Sequence, residues 1–254
     1  MHRFRGYISR TAIIFAMSLL VASHACPVNT PPKRSALELS KNARELFDKR
    51  DYEGALTTAL SADAILQSGS GFDLADRVKS RRFISEIYLK KESFAEAESY
   101  ARQTQNQILE SSPTGEMVRE LFKSRAVLVK ALCLQGKHVE VIKLVNEVAR
   151  TPKDQLVGYE LETGTIFSTG QDSAAALKDY ESAIRFTRLQ LELETTAANE
   201  KQEDAEIAIL RKRAVVRSRQ LLGSLLFNNG EHDEAIRVLT SAASEGTQLG
   251  LVAW

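Results

Sequence analysis

One pattern occurs five times along the chain: a helix with a face of small residues, a short turn, and a second helix that opens on an alanine-rich stripe. In the clearest copy, residues 43–56, Ala43, Leu46 and Phe47 share one face at helical spacing. Asp51 stands where a helix N-cap belongs. The stripe that follows consists of Ala55, Ala59 and Ala62. Small side chains let two antiparallel helices approach closely, so each copy predicts a helical hairpin.

The other four copies keep similar offsets with different residues. The second has Ser85, Tyr88, Ser93, Phe94, Ala97 and Ala101, and the third has Val129, Leu132, Gly136, Lys137, His138, Val141 and Val145. The fourth has Gly164, Phe167, Asp172, Ser173, Ala176, Tyr180 and Ala183, and the fifth has Gly223, Leu226, Gly230, Glu231, His232, Ala235, Leu239 and Ala242. We predict hairpins over residues 36–66, 73–110, 116–150, 156–194 and 200–245, with loops at 67–71 and 111–115 and an insertion at 195–204.

These offsets resemble the tetratricopeptide repeat (TPR) family over about residues 36–245. From Tyr52 to Phe94, His138, Ser173 and His232, the spacings are 42, 44, 35 and 59 residues. The family period is about 34 residues, so the chain is similar to longer-helix variants. The resemblance implies an all-α fold, a right-handed solenoid of about five antiparallel helical hairpins. Stacked hairpins bury apolar faces that one hairpin cannot bury alone. An unrelated helical bundle is the alternative interpretation.

The scarcity of helix breakers also indicates an all-α chain. Beyond residue 35 only Pro113 and Pro152 remain, and both lie between predicted hairpins. Alternating runs of valine and isoleucine, which are typical of strands, are absent.

The first 25 residues are typical of a secretory signal. Arg3, Arg5 and Arg10 precede an apolar run at residues 11–22, and residues 23–25 place small side chains at the two positions that a signal peptidase reads. The run is too short to span a membrane, although an uncleaved anchor is the alternative. Removing this segment takes away three arginines and no acids, which leaves 31 basic and 33 acidic side chains. That balance gives no signal for nucleic acid.

Cys26 lies directly after the predicted cleavage site. A cysteine there resembles the lipidated first residue of bacterial lipoproteins, and residues 26–35 then form a flexible linker, so we expect an exported, periplasmic protein attached to the outer membrane through this lipid. Ser23 departs from the leucine that lipoproteins favour three residues before the cysteine. The alternative is ordinary cleavage that leaves a soluble periplasmic protein. Cys133 is interpreted as a small buried apolar residue, and a disulfide with Cys26 is disfavoured because a flexible tether would have to reach a helix-interior thiol.

No catalytic constellation, cofactor motif or metal site is recognisable in the sequence. Residues 136–138 lack the other elements of a phosphate-binding loop, and residues 69–71 follow no strand. His138 and His232 occupy one repeat position and are interpreted as packing residues, because metal sites need clustered ligands. Glu96, Glu98 and Glu181 are interpreted as solvated helix-surface acids. We therefore expect neither an enzyme nor a cofactor.

The resemblance to the TPR family implies that the first helix of each hairpin lines a concave groove. Transferred by repeat register, the groove positions are Arg44, Lys79, Arg82, Lys123, Lys130 and Arg217, with Glu86 as the one acid, extended by Gln220, Ser224 and Asn228. Such a surface suits an acidic protein segment or a peptide carboxylate. The alternative is that these cations are solvated and balanced by nearby glutamates. The paired asparagines of chaperone-binding members are not found.

The sequence thus predicts an adaptor or scaffold of the bacterial envelope that binds a peptide or helix of a partner protein. A peptide-sensing module that acts with a partner and a self-assembling structural protein are the alternatives. Residues 195–204 form either a tolerated insertion or a projecting contact surface. The apolar residues 249–254 either fold back over the last hairpin or dock on another chain.

Overall fold

The computed structural model describes residues 32–68, 72–156, 158–199 and 205–250, which form ten α-helices and no strand. The helices are α1 (Pro32–Asp48), α2 (Tyr52–Ser68), α3 (Leu74–Lys90), α4 (Phe94–Leu109), α5 (Glu116–Leu134), α6 (His138–Ala149), α7 (Glu160–Ala176), α8 (Tyr180–Asn199), α9 (Ala205–Asn228) and α10 (His232–Gln248). A single 3₁₀ turn, Lys153–Gln155, lies between α6 and α7. In these described ranges no helix is both long enough and apolar enough to cross a membrane.

Consecutive helices pair into five hairpins, α1/α2 to α9/α10. Each helix packs against the next along the chain, and the first helices also meet each other, α3 with α5 and α5 with α7. This stacking joins the hairpins, and one apolar core runs from Ala101 on α4 to Ala235 on α10. The predicted all-α solenoid of five hairpins is confirmed.

All five hairpins close with the same turn. The second helices begin at Tyr52, Phe94, His138, Tyr180 and His232. Two residues earlier, the backbone adopts a left-handed φ between 59° and 86°, at Arg50, Glu92, Gly136, Lys178 and Gly230. The next N–H then donates to the carbonyl oxygen five residues back, at 2.9–3.0 Å in every copy. These are the two marks of the Schellman helix ending.

This turn corrects the predicted register of the fourth hairpin. Asp172 and Ser173 were expected at its turn, but both lie inside α7, and the second helix begins at Tyr180. The copies are therefore 42, 44, 42 and 52 residues apart rather than 42, 44, 35 and 59. The error equals seven residues, almost two helical turns, so the shifted stripe falls on nearly the same face. The left-handed position of the fourth turn is occupied by Lys178 rather than by glycine.

Several segment boundaries differ from the predicted ones. Helix α1 begins at Pro32, inside the expected linker at 26–35, because proline fits the first turn of a helix. Helix α2 continues through Ser68, into the expected loop at 67–71, and α8 continues to Asn199, into the expected insertion at 195–204. Residues 1–31, which include the predicted signal and Cys26, lie outside the described residues. So do residues 69–71, 157, 200–204 and 251–254.

Glycines bring neighbouring helices close together, both between two hairpins and within one. A Cβ placed on Gly170 of α7 would lie 2.7 Å from Cγ1 of Val145 on α6. A Cβ on Gly223 of α9 would lie 2.5 Å from Cγ of Leu239 on α10. Contacts this short do not occur between real side chains, so a larger residue at either position would force its neighbour to shift.

Glu98 joins the second hairpin to the third, and the prediction that it is simply solvated is wrong. Its carboxylate is partly buried and accepts hydrogen bonds from Lys137 at 2.8 Å, from Gln135 at 2.9 Å and from Arg102 at 2.9 Å. Burial favours the neutral acid, but these three donors outweigh it and lower the pKa of Glu98 to about 2. Glu96 and Glu181 are exposed, as expected.

Candidate functional site

The first helices of four hairpins, α1, α3, α5 and α7, line two cavities, which together we call the channel. Cavity 1 has a volume of about 450 Å³ and is lined by α1, α2, α3 and α5. Cavity 2 has a volume of about 460 Å³ and is lined by α1, α3, α5 and α7. Arg44, Arg82 and Lys123 belong to the walls of both cavities, so the two form one continuous surface.

Most of the predicted groove residues meet in this channel, together with acids that the sequence analysis did not assign to it. Cavity 1 contains Arg44, Asp76, Lys79, Arg82, Glu116, Glu120 and Lys123 as its charged residues. Cavity 2 contains Arg44, Arg82, Glu86, Lys90, Lys123, Lys130 and Glu162. Arg217 and Gln220, with Ser224 and Asn228, are exposed on α9 and line neither cavity.

Arg82 lies at the base of the channel and is buried rather than solvent-facing. Its Nε donates to Oε2 of Glu120 at 2.5 Å, and its Nη1 donates to Oε1 of Glu86. Only 9% of the Arg82 side chain and 3% of the Glu120 side chain are exposed. The guanidinium is therefore already engaged by two carboxylates.

The electrostatics of this pair favour the charged forms of both residues. Burial opposes the charge on Arg82, but the attraction of Glu86 and Glu120 outweighs it and raises the pKa of Arg82. Burial likewise opposes the charge on Glu120, but Arg82 and a hydrogen bond from Lys123 lower the pKa of that carboxyl. The network therefore stays ionised at neutral pH.

Two further cations of cavity 1 are also neutralised within the channel. Nζ of Lys79 lies 2.7 Å from Oε1 of Glu116, and Nζ of Lys123 lies 3.0 Å from Oε1 of Glu120. The hydrogen bond with Glu116 raises the pKa of Lys79 despite its partial burial. Cavity 1 is thus a surface of balanced charge rather than a basic patch.

Arg44 has a different environment. Its Cζ lies 3.7 Å from the centroid of the Phe83 ring, which is a close cation–π contact. Phe83 is itself held edge-to-face against Phe47, with ring centroids 5.4 Å apart. The nearest acid, Glu86, lies 3.7 Å from Nη1 of Arg44, beyond hydrogen-bond distance. Nearly half of the Arg44 side chain remains exposed.

Cavity 2 also contains two lysines without an ion pair to any described residue. Lys90 ends α3 and Lys130 lies near the end of α5, and both are exposed. Apolar side chains from three helices stand beside them in the wall, namely Leu89, Val127 and Leu161. Leu161 is 83% exposed, which is unusual for a leucine at the mouth of a cavity. The second half of the channel therefore combines excess positive charge with an apolar surface.

The sequence analysis missed the contribution of α7 because it misplaced the fourth hairpin. Leu161, Glu162 and Thr165 bring α7 into cavity 2. When the second helices are aligned at His138 and Tyr180, Thr165 on α7 is equivalent to Lys123 on α5. The groove positions of α7 can then be assigned. The register of the fourth hairpin can be recognised from the five recurrent turns taken together, although no single sequence motif indicates it.

Among the described residues, His138, His232 and Cys133 lie away from the channel. The ring of His232 packs against Phe227 in a tilted contact, with centroids 4.8 Å apart, although His232 is exposed. His138 is partly buried at the start of α6, and its Nδ1 has no hydrogen-bond partner. Cys133 is a free thiol, half-buried against the core. In the part of the chain that the structure describes, no cluster of three histidine, cysteine or acidic side chains could hold a metal ion.

Solved structures with TPR-like folds are similar to this chain. RapI in its apo form is 10% identical with a TM-score of 0.69, over 94% of this chain and 58% of RapI. The TPR-like repeats of a Podosopora anserina kinesin light chain are 16% identical with a TM-score of 0.60, over 86% of this chain and 97% of that one. A Rap protein complexed with Competence and Sporulation Factor is 11% identical with a TM-score of 0.55, over 87% and 56%.

These comparisons establish a TPR-like helical repeat fold. At such low identities they establish the fold alone, and this chain spans less than six-tenths of either Rap protein. No protein-family model and no curated protein matches the sequence.

Proposed function

We propose that this chain is a protein-interaction scaffold that binds an extended peptide or a helix of a partner protein in the channel, without catalytic activity of its own. The observation that carries the proposal is a channel whose walls are held in place before any partner arrives. Its base is fixed by the Arg82–Glu120 pair and its Arg44 side chain is stacked on Phe83. A preformed surface loses little conformational freedom on binding, so more of the contact energy contributes to affinity.

The TPR-like fold supports this proposal, because stacked helical hairpins create extended concave surfaces that such proteins use for binding. The Rap protein complexed with Competence and Sporulation Factor is an example of a similar fold that binds a factor. That same complex favours a second candidate function, a sensing module that changes shape when it binds a peptide and then acts through a partner. A decrease in the radius of gyration on adding a bound peptide, measured by small-angle scattering, would favour the sensor over the rigid scaffold.

We further propose that the protein is exported and attached to a bacterial membrane through a lipid on Cys26. The support is the sequence of residues 1–26, with its arginines, its apolar run and the cysteine that follows. Metabolic labelling with a radioactive fatty acid tests the lipid. Label that is present in the wild-type protein and lost in Cys26→Ser supports the anchor, whereas an unlabelled but shortened periplasmic product supports ordinary cleavage.

In-cell photo-crosslinking tests the scaffold. A photoreactive amino acid placed at Lys130 in the channel is compared with one at Lys143, which is exposed on α6 and has no ion pair to a described residue. We expect one recurrent protein crosslinked from position 130 and not from position 143. Crosslinks from both positions only to other copies of the chain would contradict the scaffold and indicate self-assembly instead.

A further inference from the structure

We infer that cavity 2 contains a carboxylate subsite in which Arg44 is the anchor, and that it accepts a peptide carboxylate beside an apolar side chain. The inference rests on the proposed function and specifies which chemistry the channel recognises. It assigns different roles to cations that look equivalent in the sequence.

The first step is the state of Arg44. Its guanidinium is planar and is held against Phe83, yet it makes no hydrogen bond with any described residue. An arginine fork presents donors that match both oxygens of one carboxylate. Stacking on an aromatic ring fixes the plane of that fork and leaves its edge available. Arg44 is therefore oriented for a carboxylate, while its own ion pair with Glu86, at 3.7 Å, is too long for a hydrogen bond.

The second step is the contrast with the other cations of the channel. Arg82, Lys79 and Lys123 each lie within 3.0 Å of a carboxylate oxygen. The charge of each is therefore already balanced by a glutamate of the channel. Lys90 and Lys130 have no such partner among the described residues, and they share the walls of cavity 2 with Arg44. The charge that is available to a ligand is thus concentrated in cavity 2.

The third step is the apolar surface beside these charges. The highly exposed Leu161 lies in the same wall, beside the partly buried Leu89 and the buried Val127. A ligand that offered only charge would leave this surface in water, whereas an apolar side chain next to the carboxylate would cover it. Charge and apolar area together favour a peptide with an acidic group and an apolar neighbour.

Peptide selection tests the inference. The full chain is used to select from two libraries of short random peptides on phage, one with a free C-terminus and one with the C-terminus blocked by the coat protein. Recovered sequences are synthesised, and their Kd is measured by fluorescence anisotropy. An acidic side chain in peptides from the blocked library, or a terminal carboxylate in peptides from the free one, identifies the source of the carboxylate.

Three variants separate the roles. Arg44→Lys keeps the charge but removes the planar fork, and Lys90→Glu/Lys130→Glu reverses the two exposed charges. Lys143→Glu is the control outside the channel. We expect Kd to rise about tenfold or more in the first two, as the loss of a charge-assisted hydrogen bond implies, and to stay unchanged in the control. Circular dichroism verifies that each variant is folded, and the exposed lysine pair provides the test should Arg44→Lys unfold.

The outcomes distinguish the two proposals. Recovery of no peptide from either library would overturn the proposed function itself. Recovery of peptides that carry no acidic group beside an apolar one, or that bind Arg44→Lys and Lys90→Glu/Lys130→Glu as tightly as the wild-type chain, would overturn the carboxylate subsite alone.

Discussion

Arg82 on α3 and Glu120 on α5 form a buried ion pair, with Nε and Oε2 2.5 Å apart, between two successive hairpins of the solenoid. The pair lies in the wall of the channel, to which four hairpins contribute. Each member has a second partner, Glu86 for Arg82 and Lys123 for Glu120. An arginine in this position holds two hairpins together and is not free to bind a partner. Charge reversal at Arg82 would therefore damage the fold and the channel at once.

Arg82→Met is expected to lower the free energy of unfolding by about 3 kcal/mol. Removing one member of a buried pair leaves the other charge poorly compensated, and the remaining contact with Lys123 keeps the cost at the lower end. Urea unfolding followed by circular dichroism measures the change. The double variant Arg82→Met/Glu120→Met should recover most of the loss. A double variant whose loss equals the sum of the losses of the two single variants would contradict the pairing.

Glu98 should make stability depend on acid. Its pKa is about 2 in the folded protein, below the ordinary value of 4.5. The unfolded chain therefore binds the proton more readily, so the contribution of Glu98 is full above about pH 4.5 and is lost as pH falls through 2. We expect Glu98→Gln to be less stable at neutral pH and to lose less stability over that range.

Urea midpoints measured from pH 7 to pH 2 test this dependence. Glu181→Gln, at an exposed glutamate without an ion pair to a described residue, is the control and should follow the wild-type profile. Parallel profiles for Glu98→Gln and the wild-type chain would show that the Glu98 cluster does not stabilise the fold.

Lys178→Gly should stabilise the chain by about 1 kcal/mol. Lys178 has φ +59° at the position that Gly136 and Gly230 occupy in the third and fifth turns. A left-handed conformation strains a residue with a Cβ and does not strain glycine. The converse change, Gly136→Lys, should destabilise by a similar amount. Thermal melts compare the two, and a stability change of the same sign in both would contradict the shared turn.

Two glycines of α7 should respond in opposite ways to alanine. Gly170→Ala places a methyl group against Val145 and should cost about 1–3 kcal/mol, as overpacking does. Gly164→Ala meets nothing within 4 Å and should stabilise the helix by roughly 0.5–1 kcal/mol, because alanine is the better helix former. Chemical denaturation of both single variants tests the packing, and destabilisation by both would contradict the free space beside Gly164.

Local patterns in the sequence were sufficient for the elements of the fold. The spacing of Ala43, Leu46 and Phe47 predicts the first helix, and the amide of Gly54 does bond to the predicted cap at Asp51, at 2.9 Å. Helix spacing and helix caps depend on neighbours within a few residues, which a single sequence displays directly. The resemblance to the TPR family, through its repeat register, also predicted that Arg44, Lys79, Lys123 and Lys130 share the inner face of the first helices.

Tertiary structure decided the register of the fourth hairpin and the partner of each charged side chain in the channel. A seven-residue shift leaves a helical face almost unchanged, so only the packing of α7 against its neighbours distinguishes Tyr180 from Ser173 as the equivalent of Tyr52. Arg44 and Arg82 are alike in the sequence, but one stacks on Phe83 and the other is buried between Glu86 and Glu120. The sequence by itself predicted the helical hairpins and most of the cations that line the channel, although Arg217 and Gln220 lie outside it and the side chains of α7 were missed. Which of those charges remain available to a partner depends on residues about 40 positions away, which are brought into contact only when the hairpins stack.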